Sequence, residues 1–441
     1  MSDRTALCEP AASSTKRAHA STAAHDVPTI EAPTPTPREL LLLDLVLEIV
    51  AHADAATVVR CAAASRPLRR AVLDPAFRRR LGRRAAAHGG FDPALLVAVS
   101  CRHQSRVVVQ ASLRLRLDGS LARAFSPACS RDGLLILWRN LVPAVSNAPS
   151  DGELCALNIF TGHVTPLPRG DLQLCWNGSR LIYRPALLAV DRAGCSFELL
   201  VMNKAMRTQT FSSQDGKWSA VREVLPPPGR WPILKEGCTN PVVIGRTVHW
   251  LCYRNRTDML SMPPFLPFGN PFVGDDGMFI LALHADTAQA TPIDLPEGCL
   301  SSTMSCTGLL STAEVIMLAT TTEGTRLSVV IAEGQVISMW TTSPEQWPHE
   351  WSRQVVIRRR EIDRQLAASD HAYGVIRFQG FGERSGTLLF WMRRIGLVQL
   401  NLGTKKAVVL RRWSDSGRRI VEGACAHEIN LVSLLGDMKI F

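Results

Sequence analysis

The chain has 441 residues, of which 46% are hydrophobic, 20% charged and 6% aromatic, a balance that excludes a wholly disordered or fibrous chain and leaves ample material for a core. The longest apolar stretch, Leu40 to Val50, is interrupted by Asp44 and Glu48 and falls short of the ~20 residues of a membrane span. The net charge is +11, but eleven Arg between Arg60 and Arg106 face only Asp74 and Asp92, so the excess sits in one short stretch and the remainder is nearly balanced.

Residues 1–36 are rich in Ala, Ser, Thr and Pro with little to bury, and read as a disordered arm. A transit peptide is the competing reading, against which stand the acidic Asp3, Glu9, Asp26 and Glu31. The amino end carries no apolar secretory core, and the twelve Cys include no C-x-x-C pair, which points to a reducing cytoplasm or nucleus.

Helix punctuation begins at Thr36-Pro37-Arg38-Glu39, a capping box with proline at the first helical position. A first helix is predicted from Pro37 to about Ala53, with Leu41, Leu42, Leu45, Val46 and Ile49 on one broad apolar face. Asp54 caps a second helix carrying Val58, Val59 and Ala62, and Ser65 before Pro67 caps a third. Asp74-Pro75 opens a fourth, with Phe77 and Leu81, ending near Gly89-Gly90. So small a bundle, residues 37–90, has too little core to stand comfortably alone and implies a partner.

These residues resemble an F-box: Leu41-Leu42-Leu43-Asp44-Leu45-Val46-Leu47-Glu48-Ile49, then Val59-Arg60-Cys61-Ala62-Ala63, then Leu68 through Phe77, whose closing Asp-Pro-Ala-Phe looks like the F-box units of grass proteins. The resemblance covers roughly residues 38–82. Two departures stand out: Leu42 occupies the usual proline position, and Ser65-x-x-Leu68 replaces Cys-x-x-Trp. Both leucines remain apolar, yet the missing indole removes contact area worth ~1–3 kcal/mol. The resemblance implies docking on a Skp-family adaptor of a cullin complex through Leu41, Leu42, Leu45, Val46 and Ile49, with Val59, Leu68 and Phe77 completing or supporting that face.

Residues 91–125 read as a connecting segment. Beyond residue 137 lie all ten Trp and all three Tyr, a shift from helix-favouring to strand-favouring composition. A motif of Gly, four residues, then Trp occurs at Gly133/Trp138, Gly245/Trp250 and Gly386/Trp391. Each copy is followed by a Leu and, four residues on, a Thr: Leu157/Thr161, Leu283/Thr287 and Leu400/Thr404. Alternating with these are two copies of another hairpin, Phe197–Val201 leading to Phe211 and Trp218, and Leu327–Ile331 leading to Trp340 and Trp351. The spacing suits propeller blades with loop insertions, and a β-sandwich with core Trp is the alternative. The fold class is therefore α + β multidomain: the helical bundle, then an all-β, kelch-like propeller over 126–441 of about six blades, the sixth supplied by Arg106 to Leu117 or by the carboxyl end. This region also looks like the F-box-associated propellers of plants.

Catalytic signals are sparse. Gly380-Phe381-Gly382-Glu383-Arg384-Ser385-Gly386 approaches the dinucleotide fingerprint, but its third Gly is one place late and serves as a strand turn, so it reads as a hairpin loop. Ser13-Ser14-Thr15-Lys16 matches an acylase pattern inside the arm, where nothing holds the lysine in place. No local His pair suggests a metal. Arg78 to Arg84 could contact phosphates, yet only Phe77 and Phe91 lie nearby for stacking, so nucleic acid ranks below a protein partner. The expectation is a non-catalytic substrate receptor of an SCF-type ubiquitin ligase without cofactor or metal, holding an unknown target protein on the propeller and free of membrane. A propeller scaffold without ligase docking, or a basic nucleic-acid-binding protein, are the alternatives.

Overall fold

The structure is a computed structural model describing residues 37–103, 106–111, 121, 124–140, 152–159, 161–172, 174–176, 180–181, 183–191, 196–225, 232–233, 240–254, 278–299, 315–321, 324–343, 350–366, 375–412, 422–431 and 434–435. The expected arm and Thr36 of the capping box lie outside the described residues. The chain divides into Met1–Asp44, of which 37–44 are described and helical, and a compact unit Leu45–Phe441.

Four helices form where the punctuation places them: α1 Pro37–His52, α2 Ala55–Ala64, α3 Arg66–Leu73 and α4 Pro75–Ala87. Each start after the first is fixed by a short polar side chain that satisfies an otherwise orphaned amide. Asp54 accepts from the Thr57 amide at 3.0 Å, Ser65 from Leu68 at 3.3 Å and Asp74 from Ala76 at 2.6 Å. The last helix stops at Gly89 and Gly90, both at positive φ.

The remainder is a β-propeller-like array of five blades, each an antiparallel sheet of four or five strands. In the first, Ser126–Arg131, Leu134–Asn140, Gly152–Asn158 and Val164–Pro166 pair in that order. The second runs from Ala186–Val190 to Lys217–Trp218, the third is built on Val242–Ile244, Thr247–Arg254, Met278–His284 and Ala290–Asp294, the fourth runs from Ile316–Thr320 to Trp351–Arg358, and the fifth from Ile376–Gly382 to Ala407–Arg411. A further sheet of three strands joins the ends, with Leu96–His103 flanked by Arg106–Ala111 and Glu422–Glu428. The two segments expected as alternative sources of a sixth blade thus pair on one and the same strand, which is why the count of complete blades is five rather than about six. Sheet-forming chain accordingly begins at Leu96, inside the segment expected to be a connection.

First strands of successive blades neighbour one another in order, and Glu422–Glu428 lies against both Ile376–Gly382 and Ser126–Arg131, closing the ring. Neighbouring blades enclose separate apolar clusters, for example Leu200, Met202, Trp250 and Phe279 between the second and third, and Met317, Val330, Phe378 and Phe390 between the fourth and fifth. Sheet faces therefore bury against each other rather than against a second sheet layer, which sets the β-sandwich alternative aside.

The repeated motif has a physical explanation. Gly133, Gly245 and Gly386 sit in the turn between a blade's first two strands at φ of +83°, +58° and +64°, a region glycine enters without steric cost. The paired Trp lies on the second strand opposite a leucine of the third: Trp138 on Leu154, Trp250 on Leu281, Trp391 on Leu397. The Thr closes the next turn. Its hydroxyl accepts from the amide two residues on in all three copies, at 3.1 Å for Thr161 and 3.4 Å for Thr287 and Thr404. The residue between is left-handed each time, Gly162, Ala288 and Lys405.

Helices and blades are joined tightly within the compact unit. The Asp92 amide donates to the Arg384 carbonyl at 3.0 Å, and the Phe91 ring meets Phe381 edge-on at 6.2 Å between centroids. Phe91 also lies where a side chain on Gly386 would stand, and His88 where one on Gly403 would.

Candidate partner-docking face

Helix α1 has two unlike faces. Leu47, Val50 and Ala51 are buried, while Leu42, Leu45 and Ile49 are exposed by 64%, 58% and 71%. At 100° per residue, Leu45 and Ile49 project on the side opposite Leu47 and Ala51. Large apolar side chains so exposed are few among the described residues, and half of them lie on this helix. Val46, Val59 and Leu68 are half-buried, and the side chain of Leu41 lies outside the described residues. Phe77 is only 2% exposed, because α4 turns it inward with Leu81, so it cannot itself touch a partner.

The exposed ridge is held in place by charge. Arg84, nearly enclosed, donates from Nη1 to the Ala51 carbonyl at 2.9 Å and the Ala53 carbonyl at 2.6 Å, and from Nε to Asp92 at 3.1 Å. It thus satisfies carbonyls at the end of α1 and ties that end to the approach to the blades. Arg80 reaches Glu48 at 3.4 Å, an exposed pair of small worth. Sequence reasoning weighed the Arg78–Arg84 run only as a contact to phosphates or to a protein partner and missed this buried anchor; Arg84 falls on the helix face shared with Phe77 and Leu81.

The glycine-rich loop at 380–386 is a hairpin turn, as expected, and it cradles a carboxylate of the chain itself. Glu428, on the closing strand, accepts from the amides of Ser385 at 2.7 Å and Arg384 at 3.0 Å, and a Cβ on Gly382 would collide with it. Burial raises the Glu428 carboxyl above its ordinary pKa, against the pull of those donors. Beside it, the fully buried His427 lies between Ser130 Oγ at 2.9 Å and Ser100 Oγ at 2.7 Å, and burial pushes its pKa down to about 4. Arg384 also pairs with Asp132 of the first blade at 2.7 Å. These groups fasten the ring where its two ends meet, and sequence inspection had no signal for them.

Among the described residues no group of three His, Cys, Asp or Glu is arranged to hold a metal ion, and no helix is long and apolar enough to cross a membrane. A β-propeller fits a protein-interaction scaffold, since its loops cluster at the two faces of the ring.

Likeness to solved structures is distant. The protein KlAtg21 in complex with the coiled coil of AgAtg16 is 9% identical, with 73% of this chain and 84% of that chain covered and a TM-score of 0.33. An uncharacterized protein of Listeria monocytogenes EGD-e is 10% identical over 66% of this chain and 84% of that chain, with a TM-score of 0.29. A prolyl endopeptidase is 11% identical over 88% of this chain and 42% of that chain, with a TM-score of 0.28. Scores this low carry no functional argument. No curated protein matches the sequence. A family model matches residues 97–441, from the strand Leu96–His103 of the closing sheet onward, and by it the chain belongs to the family described as Domain of unknown function (DUF7595).

Proposed function

We propose that this protein is the substrate-receptor subunit of an SCF-type cullin ubiquitin ligase, in which α1 docks a Skp-family adaptor and the propeller holds a target protein. The observation that carries the reading is the exposure of Leu45 and Ile49 on a helix whose opposite face is already buried: the fold spends nothing on covering them. At ~25 cal/mol per Å² of apolar surface, a partner that covers such side chains gains roughly 1.5–3 kcal/mol for each one fully buried. The F-box resemblance of residues 38–82 supplies the identity of that partner. On this reading the chain performs no covalent chemistry and acts in the cytoplasm or nucleus by raising the local concentration of target near the ubiquitin carrier. We count the three-stranded closing sheet as a sixth, incomplete blade of a kelch-like ring.

Changing Leu45 and Ile49 together to Asp is expected to abolish capture of a purified Skp-family adaptor by the full chain, with the near-ultraviolet circular dichroism of the propeller Trp unchanged. Undiminished capture refutes the reading. The scaffold alternative has one observation in its favour: Leu68, at the position where F-boxes usually carry Trp, is half-buried and offers little surface. Absence of adaptor binding by the unaltered chain at about ten micromolar, near −7 kcal/mol of binding free energy, selects the scaffold.

A further inference from the structure

We infer that the exposed ridge of α1 and the outer face of α4 form one mixed apolar and basic surface that takes an acidic protein partner. The inference rests on the adaptor reading for the partner's identity but not for its charge. Two contacts fix the arrangement: Arg80 meets Glu48, and Arg84 meets the carbonyls of Ala51 and Ala53, so α4 runs alongside the second half of α1. With Phe77 and Leu81 turned into the core, the 100° advance per residue puts Arg79 and Arg83 on the far side of α4, next to Arg80. Crossing the surface, one passes from Leu45 and Ile49 to Glu48, then Arg80, then Arg79 and Arg83.

Glu48 is already engaged by Arg80 and His52. Arg79 and Arg83, together with the exposed Arg60, Arg70 and Arg78, have no carboxylate partner among the described residues. Asp54 and Asp74 are occupied as helix caps. Like charges four apart on a helix, as at Arg79 and Arg83, weaken it, and no ion pair among the described residues offsets this. Such a surplus is repaid by an anionic surface outside the chain. A protein fits better than nucleic acid: the rings nearest in sequence, Phe77 and Phe91, are only 2% and 7% exposed and offer no stacking platform, and the aliphatic ridge needs an apolar counterpart that phosphates do not offer.

The test uses the full chain, unaltered and with Arg79→Glu plus Arg83→Glu, against three probes: a purified Skp-family adaptor, a designed amphipathic Glu/Leu helical peptide, and mixed-sequence single-stranded RNA. Both substitutions are on exposed positions, and Arg79→Lys plus Arg83→Lys serves as the charge-conserving control. The expected result is association with the adaptor slowed about tenfold by the Glu pair and retained by the Lys pair. The difference should collapse between about 0.1 M and about 1 M salt, as the screening length falls from about 10 Å to about 3 Å. Adaptor binding that is indifferent to salt and to the Glu pair overturns the inference while leaving the adaptor reading intact. Salt-dependent capture of the acidic peptide without adaptor binding sinks the adaptor reading and supports the inference. Binding of RNA alone, or of no probe, overturns it.

Discussion

Lowering the pH should unfasten the closing sheet at a predictable point, because His427 is held neutral. Ser130 Oγ donates its proton to the Leu134 carbonyl at 3.1 Å, so that oxygen accepts from His427 Nδ1–H, and Nε2 accepts from Ser100. Protonating Nε2 would set its new N–H against the Ser100 hydroxyl hydrogen and place a cation in a site with no exposed surface. A histidine whose folded pKa lies below its unfolded value adds stability that is fully present above pH 6.5 and is lost as pH falls from 6.5 toward about 4. That drop corresponds to about 3 kcal/mol in full, of which about 2 kcal/mol is lost between pH 7 and pH 5. Glu428 works in the opposite sense: a raised folded pKa makes its contribution most favourable below the ordinary carboxylate range and less so as pH rises. The assay therefore compares urea midpoints at pH 7 and pH 5 for the unaltered chain and for His427→Gln, both of which keep Glu428. A steeper loss in the unaltered chain, by about 2 kcal/mol, is expected; equal slopes in the two chains would refute the reasoning.

Three further outcomes follow from the packing. Gly245 and Gly386 share a left-handed turn, but only Gly386 faces the Phe91 ring. Gly245→Ala should cost about 1–2 kcal/mol of backbone strain, and Gly386→Ala about 1–3 kcal/mol more for the steric conflict. Similar midpoints in urea would contradict this. Arg84→Met leaves the Asp92 carboxylate enclosed without its cation and should cost about 3–5 kcal/mol locally. It would be read as lost hydrogen-exchange protection at the end of α1 and in α4, with the blade amides unmoved. Burial pushes the Cys101 and Cys425 thiols up to about 11 and Cys155 to about 12, so a thiol reagent at pH 8 should modify the half-exposed Cys61 and reach these three only in denaturant. Modification of Cys101 or Cys425 in the folded chain would show that the ring opens near its closure.

Residues acting on their immediate neighbours were legible in the sequence. Asp54, Ser65 and Asp74 cap helices because their side chains reach amides two or three residues on, and the Gly-Trp and Leu-Thr spacings announce turns because a left-handed glycine and a threonine hydroxyl act within one turn. The same local rules made Leu45 and Ile49 one face of a helix, although periodicity could not say whether that face was covered. Tertiary structure alone decided that it is open, that Phe77 and Arg84 turn inward, and that five complete blades are closed by a sheet of three strands. It also decided that Glu428 fills the glycine-rich loop and that His427 bridges Ser100 and Ser130. These contacts join residues up to 327 positions apart, and a side chain's partner across the ring leaves no trace in the residues beside it, since burial and pairing at that range depend on how every intervening blade is placed.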